Sequence, residues 1–234
     1  MNQETQGHIF SFLKFGSEKN SRDLYENGTI YFNTIDYFQK LEEQELRGDN
    51  YEGTTVINNY HEYENVKYQI KFQDREEPIE IHPTELHVRE YMTETLGNLY
   101  SLFSIKTPDI FVENYQIDKR VKKFGDYFVM IKDLPRFLEN IYSTLTNLKI
   151  SYKSGVVRYY DKKRVNGEIT FFDKSLEYEY QKEFRIFIVN KKNNPFSIKI
   201  GSLEEYAELF PIEAIDTFQI KFKNKTAPNN DYKI

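Results

Sequence analysis

Near the end of the chain, the segment YEYQKEFRIFI carries polar side chains at alternate positions. Gln181, Glu183 and Arg185 follow this spacing, and Phe184 and Ile186 lie between and after the charged pair. Residues i and i+2 of a strand project to the same face, so the side chains of Gln181 and Glu183 are expected to point into one cleft. A fixed carboxylate there can stabilise positive charge that develops on a bound molecule. The segment therefore predicts a ligand-binding or catalytic site.

The same segment also has a purely structural interpretation. An amphipathic strand with solvent-facing charges gives the same alternation. A cross-strand ion pair would account for Arg185 without any ligand. Glu183 fits both interpretations.

Capping residues and alternation predict the elements around this segment. HIFSFLKF alternates as a strand does, and the helix after it has Ser17 as its N-cap and Gly28 at its left-handed end. TIYFN predicts a second strand, and another helix begins behind Thr34. Residues 99–105 are the least polar of the chain and predict a central strand, whereas residues 134–145 carry the apolar stripe of a helix.

The C-terminal half predicts further strands and an α+β fold. Strands are predicted at GVVRYYD, ITFFD, EFRIFIV and FSIKI, and a short helix at SLEEYAELF precedes a final strand at AIDTFQIKF. About ten strands and about four short helices that do not alternate strictly predict α+β, with a mainly antiparallel or split sheet. No repeat or linker marks a boundary, so we expect a single domain over residues 1–224 and a flexible tail over residues 225–234.

Three segments of the chain resemble a large, poorly characterised bacterial domain family. They are FLKFGS followed by a helix and GTIYFN, SLFSI in the middle, and YEYQKEFRIFI near the end. The resemblance extends from Ile9 to Val189. The same layout resembles the ADP-ribosyltransferase fold of the Q-x-E type, in which such strands surround nicotinamide adenine dinucleotide (NAD). It implies an ADP-ribosyltransferase-like fold for this chain.

The resemblance assigns roles to individual residues. Glu183 would be the catalytic carboxylate that stabilises the oxocarbenium-like transition state when the nicotinamide–ribose bond breaks, and Gln181 would contact the acceptor or the ribose. Tyr31 would stack on the nicotinamide ring, and Ser104 would shape its pocket. The residues expected to bind the cofactor are Lys14, Tyr31, Ser104 and Arg185.

The resemblance implies an NAD-dependent ADP-ribosyltransferase that consumes NAD as its substrate. Its acceptor would be a macromolecule, either protein or nucleic acid, and its role that of a bacterial toxin or phage-defence effector, with an inhibitory protein as another expected partner. The alternative is a non-catalytic nucleotide- or partner-binding module on the same fold.

Composition excludes several other site types. The chain has no Cys, which excludes disulfides and thiolate zinc sites, and its four His residues lack a ligand spacing, so no metal is expected. The net charge of −5 argues against a general nucleic-acid coat protein. Two local basic segments are either binding patches or solvated loops, with solvated loops favoured for both: Lys119, Arg120, Lys122 and Lys123, and Lys162, Lys163 and Arg164. No run approaches the roughly 18 apolar residues of a membrane span, and the start lacks the shape of a secretory signal, so we expect a cytoplasmic protein.

Overall fold

The computed structural model of the chain describes residues 8–41, 54–61, 67–91, 97–112 and 115–220. The helices are α1 (Glu18–Asn27), α2 (Ile35–Leu41), α3 (Thr107–Ile110) and α4 (Leu134–Asn147), and 3-10 helices cover Lys119–Phe124, Leu176–Gln181 and Ile212–Thr217. The strands are β1 (Ile9–Gly16), β2 (Thr29–Thr34), β3 (Thr54–His61), β4 (Tyr68–Ile70), β5 (Ile79–Ile81), β6 (Glu85–Tyr91), β7 (Asn98–Lys106), β8 (Tyr127–Ile131), β9 (Tyr152–Val156), β10 (Arg158–Tyr160), β11 (Gly167–Glu168), β12 (Asp173–Ser175), β13 (Glu183–Ile188), β14 (Phe196–Lys199) and β15 (Ala207–Pro211). Among these residues, none of the helices has the length and apolar character needed to cross a membrane.

Capping residues set both ends of α1, as the sequence predicts. The Ser17 hydroxyl accepts a hydrogen bond of 3.4 Å from the Asn20 N–H, and Gly28 ends the helix with a φ of 65°. A Cβ atom added at Gly28 would lie 1.9 Å from the carbonyl oxygen of Gly201. Glycine is therefore needed here both for its backbone angle and for its missing side chain.

The chain divides into two compact units, each built from separate stretches of sequence. The first unit comprises residues 1–29, 102–143 and 199–234. Its described strands pair antiparallel in the order β15, β8, β1 and the second half of β7. Large apolar side chains from these strands and from α4 form its core: Phe12, Leu13, Phe103, Ile105, Phe128, Ile131, Phe137 and Ile141.

The second unit comprises residues 30–101 and 144–198. In it β2 pairs antiparallel with the start of β7, β9 pairs with β13, and β3 pairs with both β6 and β11. The short strands β10 and β12 run parallel to each other, with Tyr159 opposite Lys174. This parallel pair and β13 position the site described below.

The fold class is α+β, as predicted, and most of the described strand pairs are antiparallel. The ADP-ribosyltransferase-like fold and the single domain over residues 1–224 stay predictions. The predicted tail, residues 225–234, lies outside the described residues.

Three predicted elements near the C-terminus are wrong. The segment SLEEYAELF is a turn followed by β15, because Ala207 to Pro211 pair with β8. The final predicted strand is in part the 3-10 helix Ile212–Thr217. The segment ITFFD is mostly a turn, since the carboxylate of Asp173 accepts hydrogen bonds from the Thr170 N–H (2.8 Å) and hydroxyl (2.9 Å). Such local side-chain bonds compete with strand pairing.

Candidate functional site

Gln181 and Glu183 lie on different elements, whereas the sequence predicted that one strand carries both. Gln181 ends the 3-10 helix Leu176–Gln181, and Glu183 is the first residue of β13. Lys182 between them has a φ of 40°, and its N–H donates to the carbonyl of Glu179. This left-handed residue ends the helix and starts the strand. The spacing rule of a strand therefore does not apply to this pair.

The two side chains nevertheless meet, because both bind the same lysine. Lys174 Nζ lies 2.6 Å from Gln181 Oε1 and 2.7 Å from Glu183 Oε1. The other carboxylate oxygen, Glu183 Oε2, accepts a hydrogen bond of 2.7 Å from Arg185 Nε. We call Lys174, Gln181, Glu183 and Arg185 the buried cluster. Each oxygen of its carboxylate already binds a cation.

The charges of the buried cluster are shielded from solvent, so the interpretation of Glu183 and Arg185 as solvent-facing strand charges is wrong. The side chains of Lys174, Glu183 and Arg185 are 5%, 9% and 3% exposed. By whole-residue exposure these three are the buried charged residues of the described ranges, and the side chain of Asp173, next to Lys174 in sequence, is enclosed as well. Burying a charge is costly unless it is paired and hydrogen-bonded. The chain meets this cost here by pairing both cations with the carboxylate of Glu183.

Neighbouring groups fix the orientation of the cluster. Arg185 Nη1 donates a hydrogen bond of 2.6 Å to the carbonyl of Phe171. The Glu183 N–H donates one of 2.8 Å to the hydroxyl of Tyr159. Lys174 comes from β12, which β10 holds in place through the parallel pairing. Three elements thus contribute to one preorganised arrangement.

Burial by itself raises the pKa of Glu183, because it disfavours the charged carboxylate. The charges of Arg185 and Lys174, together with the hydrogen bonds they donate, outweigh burial and hold the pKa of Glu183 well below its ordinary value. The carboxylate is therefore ionised at neutral pH. Burial, and then the charge of Glu183, raise the pKa of Tyr159, so its hydroxyl stays protonated.

The buried cluster carries an excess of positive charge. Lys174 and Arg185 are two cations, and Glu183 is one anion. The adjacent Asp173 side chain is also enclosed, at 5% exposed, but it forms a separate pair with Arg158 Nε at 2.6 Å. An unbalanced charge in a poorly hydrated place attracts an ion of the opposite sign. The arrangement is therefore suited to hold an anion.

The hydrogen bonds and ion pairs that define the buried cluster are made without the other predicted site residues. Tyr31 lies on β2 with a side chain that is 53% exposed, and the buried cluster is formed without it. Lys14 is half-buried on β1 and Ser104 is buried on β7, and both belong to the first unit. The predicted residues that the structure brings together are Gln181, Glu183 and Arg185.

Lys174 is the member of the buried cluster that the sequence did not predict. Lysine is among the residue types that are most seldom buried, so nothing in its type suggested a site. Its strand, β12, has three residues, too few for an alternation to be recognised. Tyr159 was missed for a different reason, since it is one of 19 tyrosines in the chain.

In the part of the chain that the structure describes, no group of three or more His, Asp or Glu residues is placed to hold a metal ion. The polar groups around the Glu183 carboxylate are the two cations and the amide of Gln181, and each of them is hydrogen-bonded within the protein. Comparisons of the chain with protein-family models, with curated proteins and with solved structures give no match. The resemblance to ADP-ribosyltransferases thus stays a prediction from the sequence.

Proposed function

We propose that the second unit is a non-catalytic binding module, which takes an anionic ligand of the nucleotide class at the buried cluster. The observation that carries this proposal is the pairing of one buried carboxylate with two buried cations. An anion that approaches Lys174 and Arg185 would neutralise the remaining positive charge where water screens it little. That neutralisation would contribute directly to affinity.

Tyrosine rings beside the cations favour a nucleotide over a simple inorganic anion. Lys174 Nζ lies 5.0 Å from the centre of the Tyr178 ring, and Gln181 Nε2 donates a hydrogen bond of 3.2 Å to the Tyr180 hydroxyl. Both tyrosines are half-buried, so a base can stack on a ring while the cations hold a phosphate. Both cations are buried, so a neighbouring side chain must change its rotamer before a ligand can reach them. Rotamer changes at the binding site are common when a ligand binds.

The same charges argue against catalysis by Glu183. In a transferase, the carboxylate stabilises a sugar that becomes positively charged in the transition state. Here Lys174 and Arg185 neutralise the carboxylate and leave a positive excess, which would repel such a sugar. Glu183 would have to give up a cation before it could act, and breaking a buried pair costs about 3–5 kcal/mol.

An NAD-dependent ADP-ribosyltransferase is the second candidate function. The ionised state of Glu183 favours it, because catalysis needs a carboxylate that is charged at neutral pH. The amide of Gln181 shares a lysine partner with that carboxylate. A macromolecular acceptor, an inhibitory partner protein and a role as a toxin or phage-defence effector belong to this candidate.

Calorimetric titration with NAD, ADP-ribose and inorganic phosphate tests both candidates when nicotinamide release is measured in the same samples. The binding module predicts saturable binding of NAD and ADP-ribose, tighter than that of phosphate, with no nicotinamide released in the presence or absence of cell lysate. Release that is lost in Glu183→Gln would establish the transferase and overturn the binding module. Failure of all three ligands to bind would also overturn it.

Lys174→Met connects ligand binding to the buried cluster. This variant leaves Glu183 and Arg185 as a neutral pair, so NAD affinity is expected to fall at least tenfold, since a hydrogen bond to a charged group contributes about 1.5–3 kcal/mol. Lys153→Met, the same change at an exposed lysine of β9, is the matched control. Circular dichroism of both variants checks that the fold is kept. Equal affinities in the two variants would mean that the ligand binds elsewhere.

A further inference from the structure

A well-defined turn in the second unit presents three consecutive basic residues. It spans residues 161–166, and we call Lys162, Lys163 and Arg164 the basic turn. The Asp161 carboxylate accepts a hydrogen bond of 2.9 Å from the Lys163 N–H, and the Asp161 carbonyl accepts one of 3.0 Å from the Arg164 N–H. The backbone of the turn is therefore held by its first residue.

Asn59 on β3 ties this turn to the sheet. Its Nδ2 donates to the carbonyls of Lys162 (3.0 Å) and Val165 (2.6 Å). Its own backbone N–H donates to Asn166 Oδ1 at 2.5 Å. Asn59 is buried, so these bonds are partly shielded from solvent. The turn is preorganised, and less entropy is lost when a partner binds to it.

Strand β6 adds a further cation beside the basic turn. His87 Nδ1 lies 2.7 Å from Asn59 Oδ1, which brings β6 next to the turn. Arg89 is two residues further along β6 and so projects to the same face as His87. Burial, followed by the charges of Arg89 and Lys162, lowers the pKa of His87. The positive charges that persist here at neutral pH are therefore those of Arg89 and the basic turn.

Acidic residues offset only part of the positive charge. Glu177 pairs with Lys162 at 3.0 Å, and Asp161 lies 3.4 Å from Arg164. The three cations of the basic turn are thus accompanied by two carboxylates, which leaves the turn positive. Lys163 and Arg164 are exposed. The place is positive in a chain whose net charge is −5.

We infer that the basic turn binds the phosphate backbone of a nucleic-acid strand. Exposed cations on consecutive residues fit a partner whose negative charges recur at regular intervals, as phosphates do along a strand. A membrane fits less well, because Val165, the apolar residue of the turn, packs against the core residues Ile57 and Ile169. A phosphopeptide offers a single phosphate, which is best held by cations that converge on one point. The inference does not depend on the proposed nucleotide site.

Fluorescence anisotropy with labelled single-stranded RNA and DNA, over a series of salt concentrations, tests this inference. Wild-type protein should bind with an affinity that falls as salt rises. The double variant Lys163→Ala, Arg164→Ala should bind at least tenfold more weakly at low salt. The slope of log K against log salt should become shallower by about 1.4, since each lost phosphate contact accounts for about 0.7 with single strands.

The matched control is Lys191→Ala, Lys192→Ala, which removes the same charge from exposed lysines in the turn between β13 and β14. The control should keep the wild-type salt dependence if the basic turn is the contact surface. Equal weakening in both double variants would mean that binding depends on the overall charge of the protein and not on the basic turn, which would overturn the inference. It would also be overturned if no oligonucleotide binds, or if vesicles of anionic phospholipid bind and oligonucleotides do not.

Discussion

The two units contain ion pairs of the same length in very different surroundings. In the first unit, Arg136 Nη2 lies 2.7 Å from Glu205 Oε2, and the two side chains are 47% and 75% exposed. In the second unit, Arg185 Nε lies 2.7 Å from Glu183 Oε2, and the side chains are 3% and 9% exposed. Water screens the first pair and scarcely reaches the second. Burial, and not distance, decides what each pair contributes.

Backbone segments are held together in two ways. In the first unit, backbone segments pass closely at glycines, because a Cβ at Gly28 would lie 1.9 Å from Gly201 O and one at Gly125 would lie 2.0 Å from Gly16 O. In the second unit, the buried amide of Asn59 supplies the hydrogen bonds that tie a turn to the sheet. Both devices occur in each unit, since a Cβ at Gly97 of the second unit would lie 2.3 Å from the Phe187 ring, and the Ser11 hydroxyl of the first unit donates to the carbonyl of Ile131.

Glu183→Gln breaks the buried pair and is expected to have the largest effect. The new amide has one acceptor oxygen and turns an NH2 group toward a cation, so Lys174 and Arg185 lose a counter-charge and repel each other. We expect the free energy of unfolding, measured by urea denaturation, to fall by about 3–5 kcal/mol. Glu205→Gln makes the same change in the exposed pair and should leave stability near the wild-type value. Similar losses in both variants would remove the contrast between the units.

Lowering the pH tests the contribution of the buried Glu183 pair without a mutation. The pKa of Glu183 lies below its ordinary value of 4.5 in the folded protein, so its pairing stabilises the fold above that pH and the contribution is lost as the pH falls toward the folded-state pKa. We expect the free energy of unfolding to decrease between about pH 5 and pH 2, more steeply in wild type than in Glu183→Gln. Urea denaturation at several pH values measures this. Parallel curves would assign the acid sensitivity to other carboxylates.

Gly28→Ala and Gly201→Ala test how tightly the backbone segments of the first unit are packed. The two glycines have φ angles of 65° and 83°, so alanine costs about 1–2 kcal/mol at either position. A Cβ at Gly28 would overlap a carbonyl oxygen, whereas one at Gly201 would meet no atom within 4 Å. We therefore expect Gly28→Ala to be less stable than Gly201→Ala by about 1–3 kcal/mol in thermal unfolding. Equal stabilities would mean that the backbone relaxes to admit the side chain.

The elements that local chemistry determines could be predicted from the sequence. Ser17 and Gly28 bound α1 as expected, and the Thr34 hydroxyl accepts a hydrogen bond of 3.1 Å from the Tyr37 N–H at the start of α2. Prediction failed where pairing with a segment distant in sequence determines the secondary structure. Residues 207–211 have helix-like apolar spacing, yet they form β15 because β8 offers them a strand to pair with.

The candidate site could be predicted in part. The sequence led to Gln181, Glu183 and Arg185, and the structure brings these residues together. Strand spacing accounts for Glu183 and Arg185, which lie two residues apart on β13. Gln181 lies outside the strand and meets Glu183 through a shared partner, Lys174, supplied by a different strand. Alternation along one segment carries no information about a cation that arrives from another segment. A local sequence pattern also could not predict that these charges are buried.

The buried cluster has a consequence for the order of folding. All its side chains, with the tyrosine and carbonyl that hold them, come from residues 159–185. Bringing them together closes only short loops, and contacts between residues near in sequence form quickly. The pairing of β2 with β7 joins residues far more distant along the chain, such as Asn33 and Leu99. The segment that concentrates the buried charge is thus able to organise itself before the long-range sheet of its own unit is complete.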